Sequence, residues 1–219
     1  GEGVTYLQKT KALVGGWRKL WNEGDFPFYI VQLANWQVSN PKYPGGGEGW
    51  ARLREAQFNS IREIPNTGMA VIVDIGDETN IHPKNKQDVG ARLALWALAK
   101  DYKKNCVFSG PLYKGMNVDG NKIRISFDNA GGGLIFGEKN GLNPVKEVKD
   151  VKVRWLAIAG ENKTWFDADA AIEGDTLVVS SDKVPKPVAV RYGFVTSPTG
   201  ANLYNKEGLP ASPFRTDSW

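Results

Sequence analysis

The sequence predicts an α/β region over residues 1–105 followed by an all-β region over residues 106–219. The first region alternates helix-like and strand-like segments, and its strands are nearly continuous apolar runs, which are typical of parallel sheets buried on both faces. The second region contains short segments that alternate apolar and polar residues with period two. Several short strands with regular turn signals favour a β-sandwich.

Three amphipathic helices and two strands are predicted in the first region from the spacing of apolar side chains. The helices cover residues 5–22, 50–64 and 86–102, and the strands cover residues 26–34 and 68–75. The third helix is predicted to carry a stripe of Val89, Leu93, Trp96 and Lys100 along one side, widened by Leu95 and Leu98. Two glycines at positions 15 and 16 weaken the first helix by about 1 kcal/mol each relative to alanine. Pro65 ends the second helix. The predicted order is therefore helix, strand, helix, strand, helix.

Two parallel strands do not make a finished layer, because so small a sheet leaves its faces and edges uncovered. We therefore expect this region to be the C-terminal part of a larger α/β domain whose first strands lie outside the chain. The alternative is that a complementing chain supplies them. A homo-oligomer that covers the open sheet edge is compatible with either arrangement.

The strands of the second region are predicted from period-two alternation, at residues 122–127, 151–158, 175–180 and 187–194. Glycine and other turn residues separate them, at 131–133, 140–141 and 173–175. The boundary near residues 103–112 is a change of periodicity without a flexible spacer.

Composition excludes several kinds of site. The chain has 28 Lys and Arg against 24 Asp and Glu, so its net charge is only +4, and the sequence shows no basic stripe of the kind that binds nucleic acid. Its one cysteine, Cys106, excludes an internal disulfide and a thiolate metal cluster. Its one histidine, His82, excludes a site that needs two imidazoles. No apolar run is long enough to predict a membrane-spanning helix.

The loop over residues 74–84 is the most informative segment, because it leaves a predicted strand and enters a predicted helix. Ligands of open α/β sheets bind beyond the carboxyl ends of strands, where this loop must lie. It contains His82, with Asp74, Asp77 and Glu78 upstream. A histidine oriented by a carboxylate can accept a proton from a nucleophile.

Each of these residues also has an ordinary structural interpretation. A single histidine in a polar loop is most often a surface residue. Acidic residues before a helix commonly favour its positive end. The glycine runs at 45–47 and 131–133 lack the lysine and hydroxyl residue of a phosphate loop, which favours plain turns. No spacing of ligands matches a known metal geometry.

Three longer segments resemble the sialate O-acetylesterase family, a branch of the SGNH/GDSL hydrolases. They are DFPFYIVQLAN (25–35), VDIGDETNIHPKNKQDVGARLALWALAKDY (73–102) and VAVRYGFVTSPTGANLYNKEGLPASPFRTDSW (188–219). The most distinctive parts are the IHPKNK loop with the Gly-Arg-Leu-Ala helix after it, and the NLYN-x-EGLPASPFRTD ending.

The resemblance implies a flavodoxin-like α/β/α hydrolase layer, present here in part, joined to β-sandwich material. It implies a serine esterase that removes O-acetyl groups from sialic acid or from acetylated plant polysaccharides, with no metal or organic cofactor. Such glycan substrates and the single cysteine suit an exported bacterial enzyme.

The resemblance identifies His82, in the IHP motif, with the general base of the family. The SGNH arrangement places an aspartate three residues before this histidine, and here that position is Thr79, followed by Asn80. The candidates for the acidic partner are Asp77 and Asp74. A Ser-His dyad, with a backbone carbonyl orienting the imidazole, is the alternative.

The nucleophile of the family lies in an early Gly-Gln-Ser-Asn motif that this chain lacks. None of its serines lies on a predicted strand-to-helix elbow. The expectation is therefore that the chain supplies the base, and that an N-terminal segment or a complementing chain supplies the serine. The isolated chain is then expected to be inactive.

A second functional class also fits the sequence, namely a non-catalytic carbohydrate-binding or structural module. In that interpretation the β-rich half would present tryptophans to sugars, with Trp36, Trp50, Trp155 and Trp165 as candidates. Trp165 and Trp219 lie in polar surroundings and are the better platforms. Tryptophan at strand positions is more often part of a core.

Overall fold

A computed structural model describes residues 2–40 and 42–219, without the side chain of Glu2. Within these ranges the chain forms three α-helices, α1 (Glu2–Trp21), α2 (Gly49–Glu63) and α3 (Lys86–Lys100). The first half contributes strands β1 (Phe28–Val31) and β2 (Thr67–Ala70). The second half contributes β3 (Leu112–Asp119), β4 (Lys122–Asp128), β5 (Leu134–Glu138), β6 (Lys146–Glu147), β7 (Leu156–Gly160), β8 (Trp165–Asp167), β9 (Asp169–Glu173), β10 (Thr176–Ser180), β11 (Pro187–Tyr192), β12 (Leu203–Asn205) and β13 (Phe214–Arg215).

The prediction of a mixed fold, with helices and parallel strands first and a β-rich region afterwards, is confirmed. Strands β1 and β2 pair in parallel, with Ile30 opposite Met69. The second half forms three antiparallel sheets in the orders β3-β4-β10-β9, β13-β11-β7-β8 and β12-β5-β6. None of the described helices is both long and apolar enough to cross a membrane.

Both parallel strands are shorter than predicted, because side chains take over their backbone hydrogen bonds. The Leu33 N–H donates to the Gln57 side chain at 2.8 Å, and the Leu33 carbonyl accepts from Arg54 at 2.7 Å. The carbonyl of Val71 accepts from Arg92 at 2.8 Å. Residues 71–73 are buried, as an apolar run predicts, but they lie outside the strand.

The predicted strand at 151–158 is wrong in its first half. Strand β7 begins only at Leu156, because Trp155 has a positive φ of 59° that no strand residue adopts. The Arg154 N–H donates to the Asn202 side chain at 3.0 Å instead of to a neighbouring strand. Periodicity could not show this break, since the apolar alternation continues through it.

A hydrophobic cluster connects the two halves of the chain. From the first half it includes Phe58, Met69, Val71 and Val73. From the second half it includes residues of five strands that are fully buried, among them Ile123, Ile125, Ile158, Leu177, Val190 and Leu203. The carboxyl end of β2 is therefore anchored in a core to which both halves contribute.

Candidate active site

The loop between β2 and α3 carries the predicted site residues. Its far end is fixed at α3, where the Asn85 side chain accepts a hydrogen bond from the Asp88 N–H at 3.0 Å and caps the helix. Pro83 is buried beside it, whereas His82 is exposed. The fold thus anchors the loop on both sides of the histidine and leaves the histidine itself accessible.

Asp74 lies at the start of this loop and is paired with an arginine of α3. Arg92 donates to its two carboxylate oxygens at 2.6 and 2.7 Å, and the Asp74 side chain is only 1% exposed. The Tyr204 hydroxyl donates to the same carboxylate at 3.4 Å. Burial, together with the charge of Asp74, raises the pKa of Tyr204 well above its ordinary value, so this phenol remains protonated.

Asp77 forms a tight turn with Thr79. The Thr79 hydroxyl and N–H both donate to Asp77 Oδ1, at 2.7 and 2.9 Å. These hydrogen bonds lower the pKa of Asp77, so its carboxylate is ionised at neutral pH. Within residues 2–40 and 42–219, no side chain donates to its second oxygen, Oδ2.

His82 is oriented through its backbone. Its N–H donates to the Asn80 side-chain oxygen at 2.9 Å, which closes a second turn directly after the Asp77 turn. Its imidazole has no hydrogen-bond or ion-pair partner among the residues that the structure describes. The structure therefore brings the three predicted residues onto one loop but pairs neither Asp74 nor Asp77 with the imidazole.

The segment after β1 supports this loop from the side. The buried Asn35 side chain donates to the Val73 carbonyl at 2.9 Å, and the Gln37 N–H donates to the Glu78 carbonyl at 2.8 Å. Gly76 is required at this contact, because a Cβ there would lie 2.6 Å from the Asn35 Cβ. The carboxyl ends of both parallel strands thus form one surface, as expected for a ligand site of an α/β sheet.

Two adjoining clefts open at this surface. The first, of about 490 Å³, is lined by residues 74–79 together with Lys84 and Asn85. The second, of about 800 Å³, extends toward the β-rich half. Asp74, Lys139 and Thr199 line both clefts, so a ligand bound at the loop can continue into the larger one.

Lys139 connects the β-rich half to the start of α3. Its ammonium pairs with Asp88 at 2.6 Å and its side chain is only 7% exposed. Burial alone would raise the pKa of Asp88, but hydrogen bonds from Lys139 and Asn85 lower it below the ordinary value. This pair positions the 137–141 segment at the rim of both clefts.

Sequence reasoning missed Arg92. The stripe predicted along α3 consisted of Val89, Leu93, Trp96 and Lys100, yet the buried residues of the helix are Arg92 and Trp96. One signal was available, because Arg92 precedes Trp96 by four residues and so lies on the same helix face. Lys139 and Tyr204 gave no comparable signal, since only the tertiary fold brings them to the loop.

Among the described residues, most serine hydroxyls are engaged elsewhere. The Ser39 hydroxyl donates to the Ser197 carbonyl at 3.2 Å and accepts from the Ser197 N–H at 2.7 Å, and the Ser212 hydroxyl accepts from the Gln32 side chain at 3.0 Å. Ser60, Ser109, Ser126 and Ser181 donate to backbone carbonyls. In the described ranges, no serine hydroxyl, including those of Ser180 and Ser218, forms a hydrogen bond with His82.

The tryptophans suggested as sugar platforms differ in their surroundings. Trp36 and Trp50 pack against each other with ring centroids 5.4 Å apart. The Trp165 ring is covered by the Arg191 guanidinium at 4.2 Å and lies 6.3 Å from the Trp219 ring, which remains 37% exposed. Trp155 lines the larger cleft.

The described residues contain no group of three or more His, Cys, Asp or Glu side chains suited to a metal ion. The exposed imidazole of His82 and the ionised carboxylate of Asp77 are groups that can take part in acid–base chemistry. The Arg92–Asp74 pair holds the start of the loop in place.

Comparison with known proteins gives consistent matches. No family model matches the chain. The sialate O-acetylesterase of Rattus norvegicus is 31% identical over 225 residues, and that of Homo sapiens is 28% identical over 224 residues. Each alignment covers 93% of this chain. The chain spans 39% and 40%, respectively, of the length of these relatives.

A solved structure extends the same comparison. A carbohydrate acetylesterase from Xanthomonas citri superposes with a TM-score of 0.85 and 41% sequence identity, covering 99% of this chain and 47% of that one. The matches in sequence and in fold thus both cover nearly all of the chain. The chain belongs to the sialate O-acetylesterase family.

Proposed function

We propose that this chain is the part of a carbohydrate O-acetylesterase that supplies the general base. The observation that carries the proposal is the exposed His82 imidazole, which has no partner among the described side chains and lies on the loop after β2. The relatives named above are sialate and carbohydrate acetylesterases, which supports an acetylated sugar as the substrate.

The proposed reaction is serine-type ester hydrolysis. A serine hydroxyl attacks the acetyl carbonyl while His82 takes its proton, and the proton is then delivered to the departing sugar oxygen. His82 then takes a proton from water as that water attacks the acetyl-enzyme, and it returns the proton to the serine oxygen as acetate is released. His82 must come within about 3 Å of the serine oxygen for these transfers.

Between the two candidate acids, the contacts favour Asp77. Arg92 engages both oxygens of Asp74, so this carboxylate would have to break a buried pair to serve the imidazole. Asp77 retains Oδ2, and its lowered pKa keeps it ionised to stabilise the imidazolium. A Ser-His dyad is the alternative, and Asp74 then acts only by positioning the loop.

We also propose that the nucleophilic serine comes from outside these 219 residues. No described serine forms a hydrogen bond with the imidazole, and the relatives are more than twice as long as the chain. The two-stranded parallel layer would be part of an SGNH-type α/β/α sheet, with residues 1–105 in the hydrolase domain and residues 106–219 in a β-sandwich-like domain.

The free side of β1 supports this arrangement. The backbone N–H groups of Phe28 and Gln32 donate toward β2, to the carbonyls of Asn66 and Ala70. The residues that alternate with them, Tyr29 and Val31, therefore direct their backbone N–H groups away from β2. On the flank of this edge, α1 exposes apolar side chains: Leu13, Trp17, Leu20 and Trp21. We propose that a parallel strand from the remainder of the longer protein pairs with β1 and covers these residues.

The experiment that tests the proposal compares p-nitrophenyl acetate hydrolysis by the 219-residue chain and by the longer protein. We expect turnover only for the longer protein, and its loss by about 10²- to 10⁴-fold in His82→Ala. Turnover by the chain alone, abolished by the same substitution, would place the nucleophile within these residues. Unchanged turnover of the longer variant would remove His82 from the mechanism.

A further inference from the structure

The larger cleft contains a strained tryptophan beside an arginine whose guanidinium has no partner among the residues that the structure describes. Trp155 has φ +59°, a conformation that is costly for a bulky side chain and that concentrates at functional sites. Its carbonyl accepts from the Gly193 N–H, and its indole N–H donates to the Thr199 carbonyl, both at 2.8 Å. Hydrogen bonds to the backbone and to the indole of Trp155 therefore hold this residue in the cleft wall.

Arg154, the preceding residue, is held by its backbone only. Its N–H donates to the Asn202 side chain, which also donates to the Lys152 carbonyl at 3.0 Å. The side chain lies over Gly200, where a Cβ would be 2.3 Å from Arg154 Nη1. Among the described residues, no hydrogen bond or ion pair engages the guanidinium, which is exposed and lines the cleft.

This combination suits a saccharide. An indole face packs against the apolar face of a pyranose ring, and a planar guanidinium with free N–H groups can bridge two neighbouring hydroxyls. The carboxylates of Glu138 and Asp167, which also line the cleft, are acceptors for further hydroxyls. The volume of about 800 Å³ is large enough for more than a single small group.

We propose that Trp155 and Arg154 form a subsite for the glycan that carries the acetyl ester, with the sugar stacked on Trp155 and hydrogen-bonded by Arg154. This inference rests on the proposed function, because that function makes an acetylated glycan the substrate. Its geometric support is the continuity of this cleft with the His82 loop through Asp74, Lys139 and Thr199.

The test measures binding of two deacetylated probes, neutral cellotetraose and acidic sialyllactose, to the 219-residue chain by calorimetry. The indole N–H signal of Trp155 is followed in parallel by NMR. We expect saturable binding of at least one probe, a shift of the Trp155 signal, and binding about tenfold weaker in Arg154→Ala, the size of a lost charged hydrogen bond. The probe that binds identifies the charge class of the glycan.

Two variants serve as controls for the fold and for the proposed function. Arg124→Ala removes an exposed arginine that does not line the cleft, and we expect affinity within about twofold of the parent. His82→Ala should bind the probe unchanged, so loss of esterase activity and loss of the subsite are distinguishable. Absence of saturable binding by both probes, or equal affinity of Arg154→Ala and Arg124→Ala, overturns the proposal.

Discussion

Arg92 and Asp74 are joined by two parallel hydrogen bonds, from Nη1 to Oδ1 at 2.6 Å and from Nη2 to Oδ2 at 2.7 Å. Both side chains are almost fully buried, at 8% and 1% exposure. Arg92 also donates to the Val71 carbonyl, so a single guanidinium fixes the end of β2 and the start of the loop with His82.

Arg92→Ala is therefore expected to lower the free energy of unfolding by about 3–5 kcal/mol, because it leaves a buried carboxylate without its partner. Urea denaturation followed by circular dichroism measures this loss. Arg124→Ala is the matched control, since Arg124 pairs with Asp119 and Glu173 at an exposed site. We expect that variant to lose about 1 kcal/mol or less. Equal losses in the two variants would contradict a structural role for the buried pair.

The sequence could predict the loop and its histidine but could not assign Asp74. The apolar run before Asp74 and the helical spacing after Asn85 locate a connection at the carboxyl end of a strand. Whether Asp74 pairs with His82 or with Arg92 depends on which face of α3 is turned toward the loop. An error of one residue in the predicted stripe rotates that face by about 100° and so changes the predicted partner. Arg92 was the residue that the stripe omitted.

The β-rich half was predicted less completely than the helices, for a physical reason. Strands such as β12 and β13 are only three and two residues long, too short for a period-two pattern. Their positions depend on partners distant in sequence, as in the pairing of Leu203 with Phe136. The helices, in contrast, depend on spacing within a single segment, and their bounds were predicted to within a few residues.

Asp77→Asn in the longer protein is expected to lower kcat by about 10²- to 10⁴-fold if its carboxylate orients and stabilises the His82 imidazolium. The side-chain oxygen of the new asparagine can still accept the two hydrogen bonds from Thr79 that form this exposed turn. The free energy of unfolding should therefore change by about 0.5 kcal/mol or less. Steady-state kinetics and urea denaturation together separate the two effects. An unchanged kcat would favour the Ser-His dyad.

The pKa of Asp77 should respond to the Thr79 hydroxyl. Thr79→Val removes one of the hydrogen bonds that lower this pKa, so carboxyl titration by NMR should show the pKa of Asp77 moving up toward its ordinary value. The lowered native pKa means that Asp77 contributes stability above the unfolded pKa, and this contribution disappears as the pH falls through the native pKa. Thr79→Ser keeps the hydroxyl and should keep the lowered pKa; a shift of equal size in both variants would implicate another donor.

Gly15→Ala should stabilise the protein. Gly15 lies within α1, and apart from its chain neighbours and the backbone of its own helix no described atom lies within 4 Å of the position its Cβ would take, so the gain in helix propensity is not offset by a clash. We expect the free energy of unfolding to rise by about 0.5–1 kcal/mol. Gly46→Ala is the contrasting variant, because Gly46 has φ +53° and its Cβ would lie 2.1 Å from the Phe194 carbonyl oxygen. A loss of about 1–3 kcal/mol is expected there, and thermal denaturation distinguishes the two signs.

The shared hydrophobic cluster predicts that residues 1–105 and 106–219 unfold together, even though their secondary structure differs. Met69 in the first half and Ile158 in the second are both buried in this cluster, at 1% and 0% exposure. Met69→Ala and Ile158→Ala should each lower the free energy of unfolding by about 2–5 kcal/mol. Helix content by far-ultraviolet circular dichroism and an amide signal in β10 by NMR should then show coincident urea midpoints in the parent and in both variants. The alternative outcome is two separate unfolding transitions, in which Met69→Ala shifts only the transition of residues 1–105 and Ile158→Ala only that of residues 106–219. That outcome would establish two independently stable units.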